Sequence, residues 1–266
     1  MALSLLEGLC RAEFEAIAKL PLSVSQQELK VGAGGDRTKM VDQIAEEAAI
    51  SFLKSSCFQG RLLSEEAGEV NFGSADYPMI VLDPVDGTTN ASRGISFYCI
   101  SAAISSGPRL SDVYAGAVME LPSGKVFTAE KGNGAYLDGV KITCKVANSL
   151  KQGLIGVDLN VHGNKSKLEQ MIPLCLHVKH LRNMGSAALE LCYVASGALD
   201  LYADNRCLLR TTDIAAARII LLEAGASLLD LDGNALQCRL DLKERVSLVA
   251  GHIDSCKEAL SFMRRI

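Results

Sequence analysis

The chain of 266 residues reads as an α+β fold of layered sheets and helices, and two observations predict it. From 61 to 145, short apolar runs are separated by turn residues, as in an antiparallel-rich sheet. After about 146, strand and helix patterns alternate. No Pro/Ser-rich linker lies between the halves. Residues 1–145 and 146–266 are therefore expected to be two subdomains packed as one body. The 48% hydrophobic content suffices for a large core and excludes a disordered chain.

Residues 2–20 form an amphipathic pattern that Pro21 should stop. Residues 24–38 are polar and glycine-rich (Gly32, Gly34, Gly35) and read as a loop. Val41, Ile44, Ala45, Ala48 and Phe52 follow helical spacing, giving a helix over about 39–55. Strands are expected at 61–64, 79–83 and within 95–105. Two more, at 112–121 and 125–130, are joined by the hairpin signal Pro122-Ser123-Gly124. Tyr136-Leu137-Asp138-Gly139-Val140 reads as another turn between strands. In the second half, strands are expected at 153–159, 199–203, 226–231 and 246–250. Helices are expected at 164–172, at 186–197 with Ser186 as N-cap, from Asp213 to Gly225, and at 254–264.

The net charge of −4, with no basic tail, argues against nucleic acid or a membrane surface as partner. The first residues carry no basic n-region, so no signal peptide is expected. No stretch approaches the roughly 20 apolar residues that span a bilayer. The nine cysteines are scattered, odd in number and never spaced Cys-x-x-Cys. That fits reduced thiols in a cytoplasm, without a disulfide framework or zinc site.

The most informative segment is Asp83-Pro84-Val85-Asp86-Gly87-Thr88-Thr89-Asn90. An apolar run, Met79-Ile80-Val81-Leu82, leads into it, and Pro84 predicts a tight turn rather than more strand. Two carboxylates turned the same way repel unless a cation lies between them. Glu65 follows the strand at 61–64, and Asp213 begins a helix. Each acid alone has a plain reading: a cap for Asp213, a solvated pair for Glu65-Glu66, a turn for 83–87. Together, four acids from three segments suit two or three Mg²⁺ ions, which favour carboxylates, water and phosphate oxygens. Gly87 lets backbone N–H groups approach a phosphate, and Thr88 and Thr89 add donors.

These residues resemble the inositol monophosphatase family of lithium-sensitive, Mg²⁺-dependent sugar phosphatases. Its first signature matches residues 83–90, with Glu65-Glu66 upstream. Its second matches Asp213-Ile214-Ala215-Ala216-Ala217. The resemblance implies a layered αβαβα sandwich, a homodimer, and Mg²⁺ (Mn²⁺ as a substitute) at two to three sites. Glu65, Asp83 and the Val85 carbonyl would hold one ion, and Asp83, Asp86 and Asp213 a second. A third, weaker ion would sit on Glu65 through waters. Gly87 and Thr88 would bind the substrate phosphate, and Asp86 would be a further substrate contact. Asp42, in Thr38-Lys39-Met40-Val41-Asp42, would help orient the attacking water with Thr88, and Glu65 would also be catalytic. Gly185-Ser186-Ala187 would form the substrate loop. Asp204 falls where a glutamate often binds substrate hydroxyls.

Two departures stand out. Thr212 replaces the tryptophan that usually precedes the last aspartate. Asn205–Arg210 is about two residues longer than the inositol-specific pattern. It carries Arg206 and Arg210, which suit a second phosphate at the far end of the substrate. That resembles the archaeal branch acting on inositol 1-phosphate and fructose 1,6-bisphosphate. Relatives acting on NADP(H) or 3′-phosphoadenosine 5′-phosphate share the metal residues, and a non-catalytic binding protein on this fold is a further alternative. Gly32-Ala33-Gly34-Gly35 lacks the Gly-Lys-Ser/Thr of a P-loop, and no strand is expected before it. It reads as a mobile loop that would cover a metal site.

Overall fold

A computed structural model describes residues 2–18, 20, 28–31, 33, 37–147 and 149–263. Seven helices are present among them: α1 (Ala2–Ile17), α2 (Met40–Ser55), α3 (Thr88–Arg93), α4 (Lys165–His177), α5 (Ala187–Ala195), α6 (Thr211–Glu223) and α7 (Ile253–Met263). The glycines at 32, 34 and 35, on which the mobile-loop reading rests, lie outside the described residues.

Two strands occupy the expected 24–38 loop, β1 (Glu28–Val31) and β2 (Arg37–Lys39), paired antiparallel as a separate ribbon. A strand thus does precede Gly32, but it pairs with β2 and belongs to no βαβ unit. The eight-stranded sheet has the order β10-β9-β8-β7-β6-β5-β3-β4. Its members are β3 (Gly60–Ser64), β4 (Gly68–Phe72), β5 (Met79–Asp86), β6 (Cys99–Ser105), β7 (Val113–Glu120), β8 (Val126–Glu130), β9 (Ala135–Leu137) and β10 (Val140–Ile142). All neighbours are antiparallel except β3 and β5. The edge strand β4 was missed although Val70 and Phe72 alternate with Glu69 and Asn71, a pattern too short to stand out.

The five-stranded sheet has the order β12-β11-β13-β15-β14. It contains β11 (Leu154–Val157), β12 (His180–Arg182), β13 (Leu201–Arg210), β14 (Ser227–Leu229) and β15 (Arg245–Gly251). The short β12 and the full length of β13 were not expected from the sequence. Helix α4 also runs on past its expected end. Pro173 removes one donor without stopping it, and Met171 and Leu174 stay buried on its inner side.

The layers follow from which helices are apolar all round. In α6 nearly every residue from Thr211 to Leu221 is buried, so both its sides need cover. It packs on β5–β8 on one side and on β13–β15 on the other, and α5 joins it in that middle layer. Helices α1 and α2 cover the outer face of the large sheet. Helices α4 and α7 cover the outer face of the small one. The result is the five-layered αβαβα sandwich. No helix among the described residues is long and apolar enough to cross a membrane.

Candidate active site

Strand pairing assembles the carboxylates. Parallel register sets Ser64 against Leu82, so Glu65, just past the end of β3, falls beside Asp83, which stays paired in β5. The tight turn expected at Pro84 is instead a β-bulge inside β5. Asp83 pairs with Ser101 and Asp86 with Cys99, so Pro84 and Val85 together oppose Ile100. Proline cannot donate to the ladder and is tolerated at a bulge. The bulge also has a geometric effect. Residues three apart in a regular strand face opposite ways, and one extra residue brings Asp83 and Asp86 to the same side.

The chain turns only at Gly87, whose φ is 91°. A Cβ there would lie 3.1–3.2 Å from Tyr98 Cβ and the Phe97 and Gly185 carbonyl oxygens. Glycine is therefore required by both backbone and space. Asn90 closes the segment by donating to the Phe97 and Met184 carbonyls at 2.8 and 2.7 Å, which ties the turn to the loop before α5.

Asp213 arrives from the first turn of α6. Its Oδ2 accepts from the Arg210 amide at 2.8 Å, so it caps the helix and faces the site at once. One carboxylate oxygen from each of Glu65, Asp83 and Asp213 falls within a set whose atoms lie within 4.8 Å of one another. Asp86 stands beside them, its Oδ2 accepting from Ser186 Oγ at 2.8 Å and the Ala188 amide at 2.7 Å. Ser186 does sit at the N-cap of α5, but its hydroxyl serves Asp86 rather than the helix. The Val85 amide donates to Asp83 Oδ1 at 3.0 Å, and the Val85 carbonyl accepts from Thr88 Oγ1 at 2.9 Å.

Two adjoining cavities open here. One, of about 430 Å³, is lined by Lys39, Asp42, Glu65, Asp83, Thr88 and Asp213 among others. The second, of about 360 Å³, shares Asp86, Gly185, Arg210 and Asp213 and extends over Ser186, Ala187 and Arg206. Asp42 Oδ2 accepts from the Lys39 amide at 2.8 Å, and Lys39 Nζ reaches Ser92 Oγ at 2.6 Å. Burial pushes Asp42 up to about 7 against the opposing pull of that amide. Glu65, Asp83, Asp86 and Asp213 are all raised, first by burial; neighbouring carboxylates add to this for the first three. Within the cluster, Arg210 Nη1 lies 3.1 Å from Glu65 Oε1. Arg210, with Arg245 acting on Asp213, cannot balance four buried or half-buried acids, so the donor set fits hard divalent cations, with oxygen ligands throughout.

The structure gives the other expected substrate residues different surroundings. Asp204 is fully buried and turned onto Arg206, so hydroxyl binding by Asp204 itself is not what the geometry offers. Arg206 is engaged by Asp204 and by Asp158, and Arg210 by Glu65. Neither arginine extends uncommitted toward a far phosphate. Several lining residues were not foreseen: Lys39, Asn160 and His162 in the first cavity, and Asp158, Glu190, Tyr202 and Arg245 in the second. Asp158 lay inside the strand expected at 153–159 and so showed no signal; the strand ends at Val157, which leaves Asp158 just past its end as Glu65 is past β3.

The sequence model described as the inositol monophosphatase family matches residues 3–261. A fructose-1,6-bisphosphatase/inositol-1-monophosphatase of Methanothermobacter thermautotrophicus is 37% identical over 231 residues, covering 84% of this chain and 81% of the relative. A bifunctional NADP phosphatase/NAD kinase of Methanococcus maripaludis is 34% identical over 250 residues, 86% of this chain but 43% of that longer protein. Among solved structures, an inositol monophosphatase–fructose 1,6-bisphosphatase, the MJ0109 gene product, superimposes with a TM-score of 0.83 at 30% identity, over 98% of this chain and 97% of the other. A family model matched over residues 3–261, a relative 37% identical across 84% of the chain and a common fold lead to one assignment: this chain belongs to the inositol monophosphatase family.

Proposed function

We propose that the chain is a Mg²⁺-dependent phosphoric monoester hydrolase acting on inositol 1-phosphate and fructose 1,6-bisphosphate. The observation that carries this reading is the buried group of Glu65, Asp83 and Asp213 beside the Gly87–Thr88 turn. Segment 1–145 supplies Glu65, Asp83, the Val85 carbonyl and Asp86, and segment 146–266 supplies Asp213. Together they would hold two to three Mg²⁺ ions, with Mn²⁺ as a substitute. When bound, the ions supply Lewis acidity to the attacking water and positive charge to the leaving oxygen.

The chain's own groups do the rest. The Gly87 and Thr88 amides point the phosphate. Asp42, with Thr88 beside it, orients the attacking water. Glu65 orients that water from the other side. Gly185, Ser186 and Ala187 border the space for the alcohol, and Asn90 holds that loop against the phosphate turn. A second phosphate would have to draw Arg206 from its carboxylates or meet Arg245 in the same cavity. The cellular setting proposed is the cytoplasm, where the nine free thiols stay reduced.

A second reading, hydrolysis of the 2′-phosphate of NADP⁺, is favoured by the similarity to the bifunctional relative. A panel of kcat/KM values with Mg²⁺ for inositol 1-phosphate, fructose 1,6-bisphosphate and NADP⁺ separates the two. The expected result is highest turnover on the sugar and inositol phosphates. Preference for NADP⁺ would install the second reading, and no phosphate release from any of the three would reject both.

A further inference from the structure

The cavity wall beside the metal-type cluster contains a network that the family signatures do not involve. Between Asp204 and Leu209 the pairing of β13 with β15 breaks, and four residues, 205–208, oppose Ser247 alone. Cys207 takes a φ of 60° in this excursion, and its amide donates to Ser247 Oγ at 2.8 Å. The extra length noted in the sequence is therefore a bulge, and it carries Arg206 over the cavity.

Arg206 is gripped from behind by the fully buried Asp204. Its Nε donates to both Asp204 oxygens at 3.1 and 3.0 Å, and Nη2 donates to Oδ2 at 2.6 Å. The remaining arm, Nη1, reaches Asp158 Oδ2 at 2.7 Å. The Asn160 amide donates to the other Asp158 oxygen at 2.9 Å. Asp158 is thus fixed in direction by two donors while its side chain stays 17% exposed, on the cavity. Each carboxylate oxygen keeps a lone pair for a further donor.

A second feature of the same wall points to a ligand. Glu190 is 1% exposed and lines this cavity from α5; the Gly185 and Met184 amides lie near its carboxyl, yet neither oxygen meets a donor at full hydrogen-bond geometry. Strand β11 makes room for it: a Cβ at Gly156 would come within 2.7 Å of Glu190 Oε1. A fixed acceptor over an unsatisfied carboxyl is a surface for groups that donate hydrogen bonds, and alcohol hydroxyls are such groups.

We propose that Asp158, aimed by the Asp204–Arg206 pair, reads the hydroxyl groups of the leaving alcohol and so selects phosphomonoesters of polyols. This rests on the phosphatase reading above. It moves hydroxyl recognition from Asp204, where the family pattern placed it, to a residue just past the end of another strand, β11. Asp204 becomes a positioning residue, acting through Arg206.

The test is a cycle of two proteins and two substrates. Wild type and Asp158→Asn are each assayed with inositol 1-phosphate and with cyclohexyl phosphate, which has the ring without the hydroxyls. The substitution should lower kcat/KM for inositol 1-phosphate about tenfold or more beyond its effect on cyclohexyl phosphate, mostly through KM. Penalties equal within about twofold on the two substrates overturn the proposal, because a structural disturbance would not distinguish them. Turnover of fructose 1,6-bisphosphate but of neither ring phosphate by wild type overturns this inference and leaves the phosphatase reading standing, whereas phosphate release from none of the three overturns both, and neither outcome needs a variant. Asp158→Ser runs the same cycle should Asp158→Asn fail to fold.

Discussion

The two walls of the site use the same residue types to opposite ends. On one, Glu65, Asp83, Asp86 and Asp213 crowd together with Arg210 as their cation. On the other, Asp204 and Asp158 share Arg206 between them, with both arms of its fork committed. The first wall carries excess negative charge that burial cannot tolerate, so its acids either hold protons or attract metal. The second sets two aspartates on one arginine, a smaller excess held in fixed geometry, so it fixes a direction instead of attracting an ion. Metal affinity and ligand orientation thus differ in how completely the buried charge is matched.

The largest effect should come from the unmatched wall. Asp83→Asn removes a central charge at nearly constant volume and should lower kcat by roughly a thousandfold, about 4 kcal/mol. Calorimetric titration with Mn²⁺ should show weakened binding while circular dichroism stays native. An unchanged kcat would remove Asp83 from the metal assignment.

The two arginines sharpen the contrast. Arg206→Ala strands the buried Asp204 and should cost about 3–5 kcal/mol, a fall of roughly ten degrees in Tm, with or without metal. Arg210→Ala should destabilise the protein mainly in EDTA and tighten metal binding by up to about tenfold, since a competing cation is gone. Equal Tm losses for both variants in both conditions would erase the distinction between the walls.

The smallest effect tests an unmatched acid far from any ion. Glu13 on α1 is fully buried with both oxygens unpartnered, and burial, then Glu46, raises its pKa well above the ordinary 4.5. Folding therefore favours its protonated form. That contribution is complete below about 4.5 and is lost as pH rises toward the raised value. Glu13→Gln should gain a few degrees in Tm relative to wild type on going from pH 5 to pH 8. Parallel Tm curves for the two proteins would show that Glu13 titrates normally.

What could be read in the sequence was what short segments decide. The acids at 65, 83, 86 and 213 sit at ends of elements that apolar periodicity marks, and Gly87 marks its own turn. The bulge at Pro84 was misread as the turn itself, because a missing donor ends a ladder or interrupts it depending on the strand alongside. Arg206 and Arg210 were visible as charges, but not as partners of Asp158 and Glu65. Those pairings join residues 48 and 145 positions apart.

By itself the sequence determined the class of chemistry and the layered fold, since carboxylate spacing, glycine conformation and hydrophobic period are local properties of a chain. Only the tertiary structure decided where each charge is spent. Parallel pairing of β3 with β5 brought Glu65 to Asp83, and the bulge in β13 turned Arg206 onto two aspartates. Electrostatic partnership depends on through-space distance and burial, and chain order encodes neither.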